Sequence, residues 1–421
     1  MDVSAPASGG PPRPANARDI AGERESGGPL TIGIDVTPWV NRRGFGRFTR
    51  EAVGALLRRD RVNRYVLFAD AASAAARDLP LNAERVVVGT RLGQAEASSA
   101  AGWRPVGDIA RMSLAVARRR LDAFFFPTHL TFFPMIRRVP TVIGIHDATA
   151  ALYPELIFPS RRARFFWTIK ERLALAQAAR VVTVSESARR EIAAKLRYAA
   201  DRIHVIPEAP APHFTPRAIG PDEKSALRAC GVEPDDGYIL HVGGVSPHKN
   251  LERLVAAFAR IARDARHARL QLVLAGDVER DPFLSSADSV RAAVARAGLG
   301  SRVVFTGHVE DARLALLYNG AVALAFPSLA EGFGLPAVEA MASGTPVVAS
   351  RAGSLPEVLG DAGVLFDAES EAELERALRS VLESDALRAE LREAGLSRAR
   401  LFSWDRAAEL LMDLLAEVAS R

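Results

Sequence analysis

Short apolar runs alternate along the chain with longer segments in which apolar residues recur every three or four positions. The runs have the length of strands buried on both faces, and helical segments fall between several of them. This alternation is typical of a doubly wound sheet of parallel strands. In the first half of the chain the predicted strands are Thr31–Asp35, Tyr65–Ala69, Arg85–Val88, Ala123–Phe126, Thr141–Ile145, Val181–Val184 and Ile203–Ile206.

The same alternation starts again after a proline-rich segment, residues 207–217 (PEAPAPHFTPR). A segment of this composition predicts a linker between domains. A final amphipathic helix is predicted over Trp404–Val418. In the second half of the chain the predicted strands are Tyr238–Val242, Leu270–Ala275, Val303–Thr306, Ala321–Phe326, Val347–Ala349 and Gly363–Phe366.

The pattern therefore predicts an α/β protein with two Rossmann-like, doubly wound domains that face a central cleft. We place the first domain at residues 29–212 and the second at residues 213–403, with a helix at 404–421 packing back on the first. Residues 1–28 are rich in Pro, Ala and Gly, and we expect them to be disordered. Ligands of such sheets bind beyond the carboxyl ends of the strands.

Composition agrees with a soluble globular protein of two domains. The chain has 421 residues, of which 48% are hydrophobic and 25% are charged. No apolar run approaches the length of a membrane span, and the first residues lack the apolar core of a secretory signal. The single cysteine, Cys230, excludes an internal disulfide framework. We therefore expect a cytoplasmic protein.

Charge is distributed unevenly between the two halves. Residues 1–212 contain 32 Lys+Arg and 20 Asp+Glu, a formal charge of +12, and the remainder carries −7. A basic half suits an anionic partner such as a membrane, a nucleic acid or an acidic substrate. Arginine-rich composition on a solvated face would explain the same excess. Because no aromatic and basic nucleic-acid motif is present, we expect no nucleic-acid partner.

Glycines and polar residues follow several predicted strands at the point where each strand ends. Taken singly, the glycines could be turn residues, the histidine a strand-end residue bonded to a carbonyl, the lysine a solvated one and the last aspartate an N-cap. Their coincidence at one edge of two sheets favours a binding site. These candidates are Gly44, Gly46 and Arg47, His146 and Asp147, Gly243, Gly244, His248 and Lys249, and Asp311.

Residues 331–350 (EGFGLPAVEAMASGTPVVAS) predict a strand end, a glycine loop, a helix and a further strand. Gly332 and Gly334 would let the backbone approach a ligand, and the helix that follows would favour an anion at its N-terminus. Glu331 and Glu339 could accept hydrogen bonds from sugar hydroxyls. A nucleotide-sugar fits this combination of groups. An ordinary helix charge and a solvated loop charge explain the two glutamates equally well.

Together these segments resemble the retaining glycosyltransferases of the GT-B fold, family four in the usual classification of sugar transferases. Glu331 and Glu339 follow the family's E-x7-E signature. The segments GIDVTP…GFGRFTRE, IHDATAALYPE, VVTVSESARREI and HVGGVSPHKNL also match in order and spacing. The resemblance covers roughly Leu30 to the C-terminus.

The resemblance implies a role for each candidate residue. Glu339 would bind the ribose of the donor nucleotide, and Glu331 would contact the hydroxyls of the transferred sugar. Lys249 would neutralise the diphosphate leaving group, and His146 would lie beside the reacting sugar. The donor site would also include Gly332, Phe333, Gly334, Leu335, Gly243, Gly244 and His248, with Val309 and Asp311 near the base, while Gly44, Gly46, Arg47 and Asp147 would lie beside the phosphate and the acceptor.

The chain departs from the family in the phosphate clamp. Relatives often have an arginine five residues before the lysine, where this chain has Gly244. The branch with that difference often has an arginine directly before the lysine, where this chain has His248. The clamp would then rest on Lys249, with His248 as a candidate second cation. Because the chain contains no Asp-x-Asp, we expect neither a metal-held diphosphate nor a cofactor.

The resemblance further implies a hexosyltransferase with GDP-mannose as the favoured donor and a glycan or lipid-linked acceptor, working in surface polysaccharide synthesis. A nucleotide-sugar epimerase of the same fold and a non-catalytic sugar-nucleotide-binding protein are the alternatives. Ser160–Leu173 (SRRARFFWTIKERL) mixes arginines with Phe165, Phe166 and Trp167. This segment would either rest on an anionic membrane at its inner face or pack its aromatic side chains on the core.

Overall fold

The computed structural model describes residues 28–91, 105–276 and 285–420. The predicted disordered segment 1–28 lies outside these residues, apart from Gly28. The described residues form two parallel sheets with helices on both faces, which confirms the predicted fold class.

Seven parallel strands form the first sheet, in the order β3-β2-β1-β4-β5-β6-β7. Each predicted run in this half forms a strand whose ends differ from the prediction by at most one residue. The backbone N–H groups of Val88, Ile145 and Ile206, one residue beyond their strands, still bond to the neighbouring strand at 2.8 Å. The bounds are β1 Thr31–Asp35, β2 Arg64–Ala69, β3 Glu84–Val87, β4 Ala123–Phe126, β5 Thr141–Gly144, β6 Arg180–Thr183 and β7 Ile203–Val205.

Six parallel strands form the second sheet, in the order β10-β9-β8-β11-β12-β13. The largest difference from the prediction is at β11, which begins at Ala323 rather than Ala321. Ala321 instead ends the preceding helix, because its N–H bonds to the carbonyl of Tyr318. The bounds are β8 Tyr238–Val242, β9 Gln271–Ala275, β10 Val303–Gly307, β11 Ala323–Phe326, β12 Val347–Ser350 and β13 Val364–Phe366.

The helices of the described residues cover both faces of the two sheets, and short 3₁₀ turns such as Thr37–Val40 and Pro247–Lys249 lie between elements. The helices of the first half are α1 Gly44–Arg59, α2 Ala71–Ala74, α3 Val106–Ala117, α4 Thr149–Leu152, α5 Pro154–Ile157, α6 Arg161–Gln177 and α7 Glu186–Lys195. Those of the second half are α8 Pro221–Arg228, α9 Leu251–Ile261, α10 Ala287–Arg296, α11 Asp311–Gly320, α12 Leu335–Ser343, α13 Leu355–Leu359, α14 Glu371–Leu382, α15 Asp385–Ala399 and α16 Trp404–Ala419.

In each sheet the chain order reverses beside the first strand, between β1 and β4 in one and between β8 and β11 in the other. Loops that leave adjacent strands at such a point run to opposite faces of the sheet and open a crevice between them. The loops after β1, β5, β8 and β11 contain most of the candidate site residues. The topology therefore brings the candidates from each half to one edge of its sheet.

The predicted C-terminal helix is confirmed as α16, which packs on the first domain rather than the second. Its Trp404 ring lies 6.0 Å from that of Phe48 in α1. Arg59, at the end of α1, pairs with Asp405 at 3.1 Å and with Glu409 at 2.6 Å. The first domain thus contains the two ends of the described chain.

The proline-rich linker contains no helix or strand, and its first part is largely buried, whereas Pro212 and residues 215–217 are exposed. Ala209, Ala211 and Phe214 are at most 3% exposed, and Glu208 is 5% exposed. The linker therefore passes through the contact between the domains, where its side chains can face the cleft.

Helix α6 presents apolar side chains to solvent. Phe165, Phe166, Ile169 and Leu173 are between 40% and 61% exposed, whereas Trp167 is buried. The prediction that the aromatic side chains of this segment pack on the core is therefore wrong for Phe165 and Phe166 and confirmed for Trp167. Across the part of the chain that the structure describes, no helix combines the length and apolarity that a membrane crossing requires.

Candidate active site

Glycines in the loop between β11 and α12 allow the two domains to touch. A Cβ atom on Gly332 would lie 2.3 Å from the carbonyl oxygen of His146 in the first domain, so a larger residue would force the segments apart. Gly334 has φ +94°, in the left-handed region that favours glycine. The side chains of Phe333 and Leu335 are buried in the core. The backbone of this loop therefore faces the cleft between the domains.

Lys249 and Glu331 form an ion pair at the carboxyl ends of β8 and β11. Their Nζ and Oε1 atoms are 2.6 Å apart, and the two side chains are 17% and 12% exposed. Lys249 ends the turn Pro247–Lys249, and Asn250 then adopts φ +60° before α9 begins. This backbone turn aims the lysine along the edge of the sheet instead of into solvent. The arrangement holds one cation and one carboxylate side by side.

Glu339 is 2% exposed and receives contacts from both domains. The hydroxyl of Tyr318 donates to its Oε2 at 2.9 Å, and Nη1 of Arg47 lies 3.2 Å from its Oε1. Burial raises the pKa of Glu339 to about 7, although the Arg47 charge and the Tyr318 hydrogen bond both oppose this rise. At neutral pH the Glu339 side chain is therefore divided between its protonated and its ionised form.

Arg47, in the first turn of α1, joins the first domain to the second. Its Nη2 lies 2.5 Å from Oδ1 of Asp311, and its guanidinium lies 5.5 Å from the ring centre of Phe214. The N-cap of α11 is Glu310, so the predicted capping role of Asp311 is wrong. Asp311 is instead the first residue of that helix and a partner of Arg47. Val309 is partly buried against the core nearby.

His146 lies just beyond β5, with its ring against the edge of Phe48 at 4.6 Å between centroids. Its Nε2 is 2.9 Å from the carbonyl oxygen of Pro127. Burial lowers the pKa of His146, so the ring is neutral at pH 7. Asp147 accepts a hydrogen bond from the backbone N–H of Thr149 at 2.8 Å, and it therefore stabilises the start of α4.

The remaining glycine candidates lie in the first turn of α1 and directly after β8. A Cβ atom on Gly46 would lie 2.0 Å from the carbonyl oxygen of Asn41, whereas one on Gly44 would meet open space. Gly243 and Gly244 follow β8, and Gly243 has φ +150°. A larger residue therefore fits at position 44, whereas at position 46 it would collide with the backbone of Asn41.

His248 does not supply the second cation that the sequence suggested. Its Nδ1 is buried, and burial together with the charges of Lys249 and Arg43 lowers its pKa to about 3. The ring is therefore neutral at pH 7, and the positive charge at this end of β8 belongs to Lys249.

Two further contacts hold the domains together. The hydroxyl of Ser185, after β6, donates to the carbonyl oxygen of Gly332 at 2.6 Å. The carboxylate of Glu357 in the second domain accepts from the backbone N–H groups of Glu186 and Ser187, each at 2.9 Å. Glu357 thus caps the N-terminus of α7 across the domain boundary, and these contacts describe a cleft that is closed at this edge.

Sequence reasoning missed two buried residues of the site, Tyr318 and Glu208. Tyr318 lies in the last turn of α11, and nothing in the local sequence distinguishes it from a core residue. Glu208 follows β7 by three residues, so the same strand-end rule that selected the other candidates would have found it. Its place in a proline-rich segment led instead to its interpretation as part of a linker.

Within the described residues, the donor atoms of one group of side chains are close enough together to share a metal ion: Asp264, His267 and Glu383. It lies at the amino end of β9, away from the candidate site. Arg266 and Arg379 pair with its carboxylates. The group is a surface ion-pair network.

Comparison with known proteins covers both halves of the chain. Residues 42–209 match the family model described as Glycosyltransferase Family 4, and residues 224–398 match Glycosyl transferases group 1. The O-antigen chain mannosyltransferase B of Escherichia coli is 32% identical over 266 residues, which are 63% of this chain and 67% of that protein.

A second relative and a solved structure extend the comparison. The serotype-specific mannosyltransferase WbdA of E. coli is 29% identical over 277 residues, 65% of this chain, and the alignment spans only 33% of WbdA. The crystal structure of Anabaena Alr3699/HepE in complex with UDP-glucose matches with a TM-score of 0.69 at 19% identity, over 92% of this chain and 100% of that one. With both halves matched and the fold shared, this chain belongs to the glycosyltransferases of the GT-B fold.

Proposed function

We propose that the protein is a retaining hexosyltransferase that moves a sugar, mannose first among the candidates, from a nucleotide-diphosphate donor to a glycan or lipid-linked acceptor. We place this reaction in surface polysaccharide synthesis and propose that it needs no metal ion. The observation that carries the proposal is a pair of cation–carboxylate contacts in one cleft, Lys249 with Glu331 and Arg47 with Glu339.

Such a cleft supplies what a nucleotide-sugar requires. The Lys249 ammonium is a compact charge for the diphosphate, and the carboxylate of Glu331 is an acceptor for sugar hydroxyls. Glu339 would accept hydrogen bonds from the ribose, each worth about 1.5–3 kcal/mol when the acceptor is charged. Arg47 would then share Glu339 with the nucleotide or release it. The ligand thus enters a site whose charges already compensate one another.

Transfer breaks the bond between the sugar C1 and the diphosphate oxygen and forms a bond from C1 to the acceptor oxygen. The acceptor proton passes to the departing phosphate oxygen, so the reaction is balanced without a further reagent. Positive charge grows on the sugar ring and negative charge on the diphosphate as the first bond breaks. Lys249 and the N-terminus of α12 would stabilise the diphosphate. Attack on the same face from which the diphosphate leaves would retain the anomeric configuration.

The names of the relatives support the choice of donor. Both E. coli proteins are named as mannosyltransferases, and one is an O-antigen chain enzyme. The solved structure of the same fold holds UDP-glucose instead. GDP-mannose is therefore the first donor to test, and UDP-glucose is its main competitor.

The test is a donor panel with the purified protein, a lipid-linked glycan as acceptor, and release of nucleoside diphosphate as the signal. We expect turnover with one donor, dependence on the acceptor, and a product of unchanged anomeric configuration by NMR. Lys249→Met should abolish most of the turnover, whereas Arg400→Gln, an exposed change, should not. Interconversion of two nucleotide-sugars without an acceptor would reveal an epimerase. Nucleotide binding without any turnover would indicate a non-catalytic sugar-nucleotide-binding protein.

We also propose that helix α6 rests on the anionic inner face of a membrane. Its exposed Phe165, Phe166, Ile169 and Leu173 form an apolar stripe at helical spacing. Arg161, Arg162 and Arg164 begin the same helix, in the half of the chain that carries +12. Each basic residue near an anionic surface adds about 1 kcal/mol of attraction, which salt weakens.

The measurement is co-sedimentation with anionic and neutral liposomes at low and high salt. Changing Arg161, Arg162 and Arg164 to Gln should reduce binding to anionic vesicles by more than tenfold. Changing the exposed Arg263, Arg296 and Arg400 of the second half to Gln is the matched control and should have little effect. Equal binding to both kinds of vesicle, or equal effects of the two triple variants, would mean that these arginines only solvate the surface.

A further inference from the structure

Glu208 is a buried carboxyl group inside the proposed active site. It lies three residues beyond β7, where the chain leaves the first domain, and is 5% exposed. Its Oε1 is 4.0 Å from Nδ1 of His146. Charges on Glu331, Glu339 and Arg47 all act on it, so it lies among the groups assigned to the donor. A carboxyl group is costly to bury unless it is neutral or paired.

The hydrogen bonds of His146 fix the chemistry of the ring atom that faces Glu208. The Nε2 atom lies 2.9 Å from the Pro127 carbonyl oxygen, which can only accept, so Nε2 carries the proton. The ring is neutral, and its Nδ1 therefore presents a lone pair. This acceptor lies 4.0 Å from Oε1 of Glu208, which reaches it from the segment after β7.

The Glu208 carboxyl presents the complementary group. Burial, the negative charge of Glu339 and, to a smaller extent, that of Glu331 raise its pKa to about 8, while Arg47 opposes the rise. At neutral pH the carboxyl therefore keeps its proton and can donate a hydrogen bond. A gap of 4.0 Å is too long for a direct hydrogen bond to His146. One hydroxyl oxygen that sits to the side of this gap can lie about 2.8 Å from each group.

We propose that Glu208 binds the transferred sugar, holding one of its hydroxyls between its own carboxyl group and Nδ1 of His146. This inference rests on the proposed transferase function. The hydroxyl donates its proton to the histidine nitrogen and accepts the proton of the acid, so each group has one partner. Glu208 thereby differs in role from Glu331: Glu331 pairs with Lys249, and Glu208 is a neutral donor. A neutral acid at this place also avoids repelling the departing diphosphate.

The test uses Glu208→Ala, Glu208→Gln and the control Asp201→Ala, an exposed carboxylate at the opposite end of β7. Glu208→Ala should lower kcat by about 10- to 100-fold, while the Kd of the nucleoside diphosphate, measured by calorimetry, changes less than twofold. Glu208→Gln keeps a neutral donor and should recover most of that loss. We expect the wild type to lose activity as the pH rises through about 8, and Glu208→Gln should remove that loss. Asp201→Ala should match the wild type.

The outcomes separate the two proposals. If the wild type transfers sugar and Glu208→Ala keeps its kcat, the inference is wrong and the transferase function stands. If Gln and Ala lower kcat and the melting temperature equally, Glu208 only supports packing, and the inference is again overturned. If the wild type binds no nucleoside diphosphate, the proposed function fails and the inference fails with it.

Discussion

Replacing Glu339 with glutamine should stabilise the empty protein at alkaline pH and weaken nucleotide binding at the same time. In the unfolded chain this carboxyl loses its proton near pH 4.5, and in the folded protein it does so near pH 7. The folded state therefore binds more protons than the unfolded state between these values. It follows that the free energy of unfolding falls as the pH rises through this window.

The size of the effect follows from the same two values. A shift of one pKa unit corresponds to about 1.4 kcal/mol, so a rise from 4.5 to about 7 costs about 3 kcal/mol of stability once the group is fully ionised. Glutamine fits the same space, can still accept from Tyr318 and does not ionise. The stability of Glu339→Gln relative to the wild type should therefore increase by up to about 3 kcal/mol between pH 5 and pH 8. Nucleotide binding should weaken by about 1.5–3 kcal/mol, because the ribose loses a charged acceptor.

Urea unfolding at pH 5 and pH 8 measures the first effect, and calorimetry with the nucleoside diphosphate measures the second. The exposed Glu390→Gln is the matched control, and neither quantity should change for it. The opposite signs of the two effects are the essential result, since they identify a residue kept for binding at the expense of stability. If Glu339→Gln were destabilised at pH 8 relative to pH 5, or bound nucleotide as well as the wild type, the reasoning would be refuted.

Three further predictions concern the cleft. Gly332→Ala should lower kcat at least tenfold, because its Cβ would lie 2.3 Å from the His146 carbonyl oxygen. The control is Gly300→Ala, where the added Cβ atom has no neighbour within 4 Å. Equal kcat values for the two variants would contradict the close contact at Gly332. Lys249→Met should lower kcat by about 10²–10³-fold, as the loss of a group that stabilises developing charge does elsewhere, and it should also lower the thermal stability, because Glu331 is only 12% exposed and loses its paired cation. Activity should persist in excess EDTA, and a strict requirement for Mn²⁺ or Mg²⁺ would show that the diphosphate is stabilised in another way.

The sheets could be predicted because each strand is a continuous apolar run, and a strand buried on both faces needs no other information to be recognised. The edge of the sheet that holds the candidates could also be predicted, since parallel strands place all their carboxyl ends together. Lys249 and Glu331, 82 positions apart, are brought within 2.6 Å by this rule alone.

The pairing of the second glutamate could not be predicted. Arg47 reaches Glu339 and Asp311 from the other domain, and the relative position of two domains leaves no periodic signal in the sequence. The same holds for the neutral state of His248, which depends on burial by residues distant in the chain. The exposure of Phe165 and Phe166 could not be predicted either, because aromatic residues on a helix give the same sequence pattern whether they pack on a core or contact a membrane.

The packing of α16 on α1 has a consequence for how the protein is made. The first domain cannot bury Phe48 against Trp404, or pair Arg59 with Asp405, until the whole second domain has left the ribosome. At roughly 5–20 residues per second, that delay is on the order of tens of seconds. During this time α1 exposes an apolar face to water, while the second domain has all of its own strands and can fold as it emerges. The half synthesised first is therefore completed last, and newly made chains should be most vulnerable to proteases in their N-terminal half.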